Sequence, residues 1–504
     1  MIASATLSRV EAILDASRVS ERIEALLPVG VRPRQLSVRT LLTGMLIALC
    51  DGRPAHLTRV HAALISLSVE DKQRLGVIAQ WKTGPHLLTY RQTERTFALV
   101  VGALSKQKPD GRPSQTLSET IDALLEASVA VMGAPESSAL AIDWTDYESF
   151  ARPPRKDGRC ADAEGSWGHR RGDNPGQRDE PFYGYYLQAA TIVTEDGGPQ
   201  VPELVRRIQL TSCHHDPPGA FVSVIERMAE AGIALGDILA DCGYSYREAA
   251  NWALPLRRIK AKLVCDLHPN DRGIKGTHMG ALIANGNLYC PATPRTLLEL
   301  SPPASKASVD ELTAHDTRCD ELARYKLSAL CAPDQDGYHR VICPAAQGKI
   351  RCPLRGQSMT LPHERPTILS APQTPPACCT QQTITVPPSV NAKTASKHDW
   401  PSKAFRLSYK RRSAAERTFS QVSNPATNDI SKGWCRLMGL TPKTLFLACA
   451  FVTTNTRVTD AFTARQAEDE RRRARGLPPR TRRRRRRTIH NLVAGANAPP
   501  AKTT

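Results

Sequence analysis

Ser138-Ala-Leu-Ala-Ile-Asp143 and Gly236-Asp-Ile-Leu-Ala-Asp241 are two short apolar runs that each end in an aspartate. Runs of this length and composition are typical of buried strands. Three further segments have β-rich character: Tyr183 to Val193, Val201 to Leu210 and Ile259 to Val264. An amphipathic helix is predicted from Pro217 to Ala231. Strands joined by a helical crossover predict an α/β core with a mixed five-stranded sheet.

The rest of the chain differs from this core in composition. Before it, apolar residues recur at helix spacing, and arginines are scattered among them. After it, the sequence is rich in Pro, Thr, Ser and Cys and lacks clear periodicity. We predict a basic helical domain over 1–135 that is suited to binding DNA ends, and a core formed by 136–266 and 403–460. Residues 267–402 are predicted to form an irregular, partly disordered Pro/Cys-rich insertion. Residues 465–504 are predicted to form a disordered Arg-rich tail.

Charge and cysteine content narrow the class of protein. The 504 residues include 68 Lys and Arg against 49 Asp and Glu, a net charge of +19. This surplus favours a polyanionic partner, with nucleic acid first and an anionic membrane second. No apolar run is long enough to span a membrane, and the N-terminal residues lack the order of a signal peptide. We therefore expect a cytoplasmic protein whose 14 cysteines are mostly reduced.

The two aspartates predict a cation site. Carboxylates at neighbouring strand ends repel each other unless a cation lies between them. Oxygen ligands suit Mg²⁺ or Mn²⁺, and two such ions about 4 Å apart can assist phosphodiester cleavage. Taken singly, however, Asp143 or Asp241 is more simply a turn or helix-capping residue.

A third carboxylate follows far downstream, in Tyr409-Lys-Arg-Arg412-Ser-Ala-Ala-Glu416-Arg417-Thr-Phe-Ser. Tyr409, Arg412 and Glu416 fall on one face of a predicted helix over Ser408 to Gln421. Glu416 supplies a third metal ligand in this interpretation. Arg412, one turn earlier, would hold Glu416 or contact a phosphate. The alternative for Glu416 alone is a solvated ion pair.

Neighbouring polar residues are weaker candidates. Asp146 would lie on the opposite face of a strand from Asp143, and Asp237 begins its strand instead of ending it. Trp144 and Tyr147 are predicted either to stack on a base or to pack. His214-His215-Asp216 is interpreted as a turn before a helix.

The three acidic blocks, in this order, resemble the DDE-type transposases of bacterial insertion sequences, in the group with a Tyr-x2-Arg-x3-Glu-x6-Lys signature. Tyr409, Arg412 and Glu416 match that signature, and Ser423 stands where the family has lysine. The next lysine is Lys432. Ala141-Ile-Asp143-Trp-Thr145 and Ile238-Leu-Ala-Asp241-Cys-Gly-Tyr-Ser resemble the family's first two blocks.

The resemblance implies an RNase H-like catalytic core in which Asp143, Asp241 and Glu416 bind two Mg²⁺ or Mn²⁺ ions. It implies DNA cleavage at the ends of an element and transfer of the freed 3′-OH into target DNA. The partners would be double-stranded DNA and further copies of the chain, in a homodimer or larger assembly at the nucleoid. Two alternatives remain open: a DNA-binding protein without catalysis, such as a decayed transposase or regulator, and an RNase H-like nuclease that cuts without joining.

Four cysteines of the insertion suggest a separate metal site. Cys290, Cys343 and Cys352 each precede a proline, and Cys378 is followed by Cys379. Four thiolates from Cys290, Cys343, Cys352 and Cys378 would form a tetrahedral structural Zn²⁺ site. The other interpretation is a set of unrelated reduced thiols, because the chain has no Cys-x2-Cys pair. Cys319 and Cys331 are predicted to be ordinary helix or turn residues.

The tail contains six consecutive arginines, Arg482 to Arg487. Such a run neutralises phosphates and gives salt-sensitive binding without reading sequence. A solvated disordered tail is the alternative interpretation.

Overall fold

The computed structural model of the protein contains two compact units, Met1–Thr456 and Arg457–Thr504. The residues described are 4–29, 34–81, 84–107, 110–133, 135, 137–154, 158–170, 180–304, 306–370 and 372–480. Arg482 to Arg487, the predicted phosphate-binding run, lie outside the described residues. None of the described helices combines the length and hydrophobicity needed to cross a membrane.

The N-terminal region is helical, as predicted, apart from one hairpin. Its helices are α1 (Ser4–Ser17), α2 (Val19–Leu26), α3 (Val38–Cys50), α4 (Leu57–Ile65), α5 (Val69–Arg74), α6 (Tyr90–Leu104) and α7 (Gln115–Ala130). Helix α3 is buried along almost its whole length and forms the centre. At Gly44 a Cβ would lie 2.8 Å from Cγ of Leu64, so glycine allows α4 to approach closely. The hairpin is β1 (Ile78–Trp81) and β2 (Gly84–Leu87).

The central sheet is mixed and has six strands. They are β3 (Leu140–Glu148), β4 (Ser166–Arg170), β5 (Glu180–Ile192), β6 (Val205–Ser212), β7 (Asp237–Ala240) and β8 (Lys262–Cys265). Strands β6, β5 and β3 are antiparallel neighbours, and β7 and β8 continue the sheet parallel to β3. The predicted five strands are present. The sixth, β4, pairs with the first half of β5 and is not among the predicted strands.

Three helices follow the strands of this sheet: α8 (Pro217–Glu230), α9 (Cys242–Ser245) and α10 (Ala253–Arg258). Helix α8 is the predicted crossover. Asp216 caps it by accepting a hydrogen bond from the Gly219 N–H at 3.2 Å. The predicted turn at His214-His215-Asp216 is therefore confirmed.

The insertion is more regular than predicted. Its elements are β9 (Ile274–His278), β10 (Ala281–Ala284), β11 (Asn287–Tyr289), α11 (Arg295–Leu298), α12 (Val309–Arg324), β12 (Ser328–Ala329), β13 (His339–Ile342), α13 (Ala377–Thr380) and β14 (Thr383–Val386). The strands among these elements form two three-stranded antiparallel sheets. Each strand has five residues or fewer, so the sequence shows no long alternating run.

Three helices follow the insertion in the described part of the chain: α14 (Lys403–Tyr409), α15 (Ser413–Val422) and α16 (Leu440–Ala474). In α16, Lys443 is fully buried and donates to Asp162 at 2.7 Å. This ion pair fixes α16 to the segment before β4. The disordered tail predicted from 465 is wrong at its start, because residues up to Ala474 continue α16.

Candidate active site

Sheet pairing brings the first two acids to one edge of the sheet. Leu140 and Ala141 of β3 pair with Ile238 and Leu239 of β7. Asp143 lies two residues past the last pair, and Asp241 directly follows β7. The sequence predicted that Asp143 ends its strand, and the structure shows that it does not. Strand β3 continues along β5, so Asp143 marks the point where β3 loses its parallel neighbour.

Asp241 is held by the turn that follows β7. Its carboxylate accepts hydrogen bonds from the N–H groups of Gly243 at 2.9 Å and Tyr244 at 3.3 Å. A Cβ at Gly243 would lie 2.5 Å from the Trp144 ring, so the close approach of Trp144 requires glycine there. The Trp144 ring packs edge-on against Tyr244, with centroids 4.7 Å apart. Trp144 therefore packs, and so does the buried Tyr147.

The third acid reaches this edge from a helical segment. Arg412 donates from Nη1 to Asp143 Oδ2 at 2.9 Å and from Nη2 to Glu416 Oε1. One guanidinium thus joins the first and third acids. The segment is not the single helix predicted, because a 3₁₀ turn over Lys410–Arg412 separates α14 from α15.

Other side chains hold α15 against the sheet. Arg411 forms ion pairs with Asp237 at 2.8 Å and Asp196 at 3.0 Å. Arg417 contacts Glu203 through two nitrogens, one of them at 2.7 Å. The buried hydroxyls of Thr418 and Thr191 are 3.1 Å apart.

The environment of Asp143 favours its protonated form. Burial raises the pKa of Asp143 to about 6; the nearby Asp241 charge adds to this rise, and Arg412 opposes it. The first two acids are therefore close enough to interact electrostatically. The side chain of Glu416, by contrast, is 57% exposed.

Tyr409 lies near these acids and is partly buried. Its ring stacks on Phe405 with centroids 5.4 Å apart. Burial raises the pKa of the Tyr409 hydroxyl; Arg412 opposes the rise, and Asp266 and Asp241 add to it. Tyr409 and Arg412 are thus both affected by the charge of Asp241.

Asp266 is an acid at this edge that the sequence interpretation missed. It directly follows β8, as Asp241 follows β7, and this placement after an apolar run was the available signal. Its carboxylate accepts from Trp400 Nε1 at 2.7 Å.

The rival acids have structural partners. Asp146 accepts from Arg170 Nε at 2.8 Å, and Asp237 is bound by Arg411 and Lys397. Ser423 is the exposed residue that ends α15. Lys432 binds Glu148, on the same strand as Asp143.

The cysteines of the insertion are buried except Cys331. Cys290, Cys343 and Cys352 share one hydrophobic cluster, whereas Cys378 and Cys379 belong to the adjacent one. Leu354 packs against both clusters. Cys319 lies in α12, as predicted, and Cys331 is exposed.

The described residues include no group of three or more His, Cys, Asp or Glu side chains that could hold a metal ion. The simpler roles considered for the acids are also observed: Asp241 caps a helix, and Glu416 pairs with Arg412. The charges of Asp143, Asp241 and Glu416 nevertheless all act on Arg412, which contacts Asp143 and Glu416 directly.

Comparison of the chain with family models, curated proteins and solved structures gives no match.

Proposed function

We propose that the protein is a transposase that cleaves DNA at element ends and joins the freed 3′-OH to target DNA, using Mg²⁺ or Mn²⁺. The observation that carries this proposal is the convergence of Asp143, Asp241 and Glu416 around Arg412. Arg412 contacts Asp143 and Glu416 directly, and the charge of Asp241 also acts on it. The three acids are distant in sequence, and they are the acids of the three blocks in which the chain resembles the transposases. The mixed sheet, in which β3, β4 and β6 are antiparallel to β5 and β7 and β8 run parallel to β3, supports an RNase H-like core.

The donor set suits a hard divalent cation. All three side chains offer only carboxylate oxygens, the ligands that Mg²⁺ prefers. Two bound ions would activate the attacking oxygen and stabilise the leaving one. Asp143, Asp241 and Glu416 would hold these ions, which requires Arg412 to give up at least one of its two carboxylate contacts.

A released Arg412 has a role in the same reaction. Its guanidinium is largely buried and cannot lose its charge at neutral pH. Once free of a carboxylate, it would bind the scissile phosphate through two N–H groups. The net charge of +19 supports double-stranded DNA as the partner. A homodimer or larger assembly in the cytoplasm, at the nucleoid, is part of the same proposal.

Cleavage of a plasmid that carries the DNA flanking the coding sequence tests this function. Wild type should cut with Mg²⁺ and not with EDTA. Asp241→Asn and Glu416→Gln should each reduce cleavage by at least about 100-fold while DNA binding persists, because each removes an anionic ligand and keeps side-chain shape. Asn can still accept the cap hydrogen bonds of residue 241, so folding is preserved.

Asp146→Asn is the matched control, since Asp146 lies on the same strand as Asp143 and has its own arginine partner. It should cleave like wild type. Full activity in Asp241→Asn would refute the proposal. Cleavage without capture of the 3′ end by a second plasmid would instead indicate a nuclease.

A DNA-binding protein without catalysis is the second candidate. The observation that favours it is that Arg412 already satisfies two of the acids, with no metal-ready group among the described residues. Metal-independent binding to the flanking DNA with no cleavage under any divalent cation would support this candidate.

A further inference from the structure

The hairpin formed by β1 and β2 carries a surface that the rest of the described chain leaves uncovered. Its base is closed by a hydrogen bond from the Leu88 N–H to the Val77 carbonyl at 2.8 Å, and both of these residues are buried. Beyond this base, no described residue of the two strands is buried. Lys82 and Thr83, which connect the strands, lie outside the described residues.

Large apolar side chains lie on this surface. Trp81 is 57% exposed and Leu87 is 50% exposed, and Tyr90 at the start of α6 is 38% exposed. Ala79 pairs with His86 and Trp81 with Gly84, so Trp81 and His86 lie on the same face of the hairpin. Their rings pack with centroids 5.1 Å apart. Three large apolar residues exposed so close together in sequence indicate a binding surface.

One side chain fixes the hairpin relative to α6. The Gln35 amide nitrogen donates to the carbonyl oxygen of His86 at 3.3 Å, and Gln92 Nε2 donates to Gln35 Oε1 at 2.7 Å. Gln92 belongs to the first turn of α6, where it completes a capping box with Thr89. The hairpin and the start of α6 therefore form one ordered surface.

Two arginines of α6 extend this surface. Arg91 and Arg95 are exposed, and their spacing of four residues places them on one face of the helix. Neither guanidinium forms an ion pair with a described residue. Arg39 and Arg74, elsewhere in the N-terminal region, are instead paired with acids. Arg91 and Arg95 thus keep their charge available for a partner.

The sequence around the hairpin is strongly biased towards positive charge. Between Asp71 and Asp110, Glu94 is the only acid. The same segment has seven basic residues: Lys72, Arg74, Lys82, Arg91, Arg95, Lys106 and Lys108. The whole chain has only 68 basic against 49 acidic residues. A local excess of this kind favours a polyanionic partner.

Given DNA as the partner in the proposed function, we propose that the hairpin and the first two turns of α6 bind double-stranded DNA. The major groove is about 12 Å wide and admits a two-stranded β-ribbon. The hairpin enters this groove, where Trp81 makes apolar contacts. Arg91 and Arg95 bind the phosphates beside it.

A second copy of the chain fits this surface less well. In a twofold dimer the same patch lies on both sides of the interface, so Arg91 and Arg95 of one copy would approach those of the other. Like charges across an interface are unfavourable. DNA presents the opposite charge to the same residues.

Binding of the full-length protein to a labelled duplex of the flanking DNA, in EDTA and at several salt concentrations, tests the arginines. The double variant Arg91→Gln/Arg95→Gln should reduce the slope of log affinity against log salt by about 2, since each phosphate contact contributes about 0.9. The matched control Arg22→Gln/Arg324→Gln removes two exposed arginines elsewhere and should keep the wild-type slope.

Trp81→Ala tests the hairpin in the same assay. It should weaken binding by at least about tenfold with an unchanged salt slope, because an indole ring releases no counterion. Trp167→Ala, which changes the 51% exposed tryptophan of β4, is the matched control and should bind like wild type. Wild-type affinity in Trp81→Ala, with a wild-type slope in Arg91→Gln/Arg95→Gln, would overturn the proposal. Loss of a dimer by either variant without DNA would assign the surface to a second copy and overturn it too.

Hydroxyl-radical footprinting of wild type avoids variants that fail to fold. Oxidation of Trp81 and Tyr90 should fall when the duplex is added, whereas oxidation of Trp167 should not change. Equal oxidation of Trp81 with and without duplex would contradict the surface. A wild type that binds no DNA would refute both proposals, whereas unaffected variants of a wild type that binds DNA would refute only this surface. Because all these measurements are made in EDTA, a failure of cleavage leaves the surface standing.

Discussion

Arg412 links the acids of the candidate site. It contacts Asp143 on the sheet and Glu416 on α15, and its side chain is only 15% exposed. In this position it neutralises carboxylates that a metal ion would otherwise balance. Divalent cations and Arg412 therefore compete for the same oxygens, and metal binding depends on the charge state of the acids.

The raised pKa of Asp143 gives this competition a pH dependence. Because the pKa is about 6 in the folded chain against an ordinary value of 3.8, Asp143 is partly protonated in mildly acidic solution. The Mg²⁺ concentration for half-maximal cleavage should fall about tenfold per pH unit up to about pH 6 and then level off. Titration of Mg²⁺ at several pH values measures this.

The same raised pKa also predicts how the stability of the metal-free protein changes with pH. The unfolded chain releases the Asp143 proton near pH 4, whereas the folded chain retains it to about pH 6. Unfolded protein then binds fewer protons, so this group's contribution to stability falls as pH rises through that window.

An Mg²⁺ requirement that is flat between pH 5 and pH 7 would contradict the assigned environment of Asp143.

The sequence predicted the residues of this site better than their contacts. Arg412 and Glu416 are four residues apart, and that spacing places them on one helical face. Their meeting with Asp143 depends on how α15 packs, which no local pattern encodes. Asp266 was missed because the predicted strand ended at Val264, two residues before it, and because this acid has no counterpart in the transposase blocks.

At the scale of elements, two arginines determine where α15 lies. Arg411 is 13% exposed and binds the nearly buried Asp237, whereas Arg417 is 37% exposed and binds Glu203. The difference in burial matters because an unpaired buried carboxylate keeps its desolvation cost without its partner's attraction.

Arg411→Met should therefore destabilise the protein by about 3 kcal/mol, since Asp237 loses one of its two cations. Arg417→Met, the matched control, should cost less than about 1 kcal/mol because solvent screens its ion pair. Chemical denaturation of both variants provides the comparison. Equal losses would show that Arg411 does not hold α15 as described.

Elements with a clear apolar run or helical periodicity were predicted, and those without were not. Helix α3 and strand β5 follow their sequence patterns closely. Strand β4, Ser-Trp-Gly-His-Arg, has no alternating apolar residues and is ordered by pairing with β5. The strands of the insertion are as short, and its two hydrophobic clusters include six cysteines that composition alone does not assign.

For the whole molecule, the surplus of positive charge has a partner-binding consequence. The run Arg482 to Arg487 can neutralise several phosphates. Deleting 481–504 should weaken binding to all DNA sequences alike and reduce the slope of log affinity against log salt by up to about 5. Deleting only 488–504 is the control, because it keeps the six arginines. Equal slopes for both deletions would remove the run from the interface.

Replacing a metal ligand by cysteine tests the central claim, coordination of divalent cations by the three acids, most directly. Thiolates bind Mn²⁺ far better than Mg²⁺. Asp241→Cys should therefore cleave flanking-DNA plasmid with Mn²⁺ and fail with Mg²⁺, while Asp146→Cys cleaves with both. Wild-type cleavage by Asp241→Cys in Mg²⁺, or none in Mn²⁺ while DNA binding persists, would contradict coordination by Asp241.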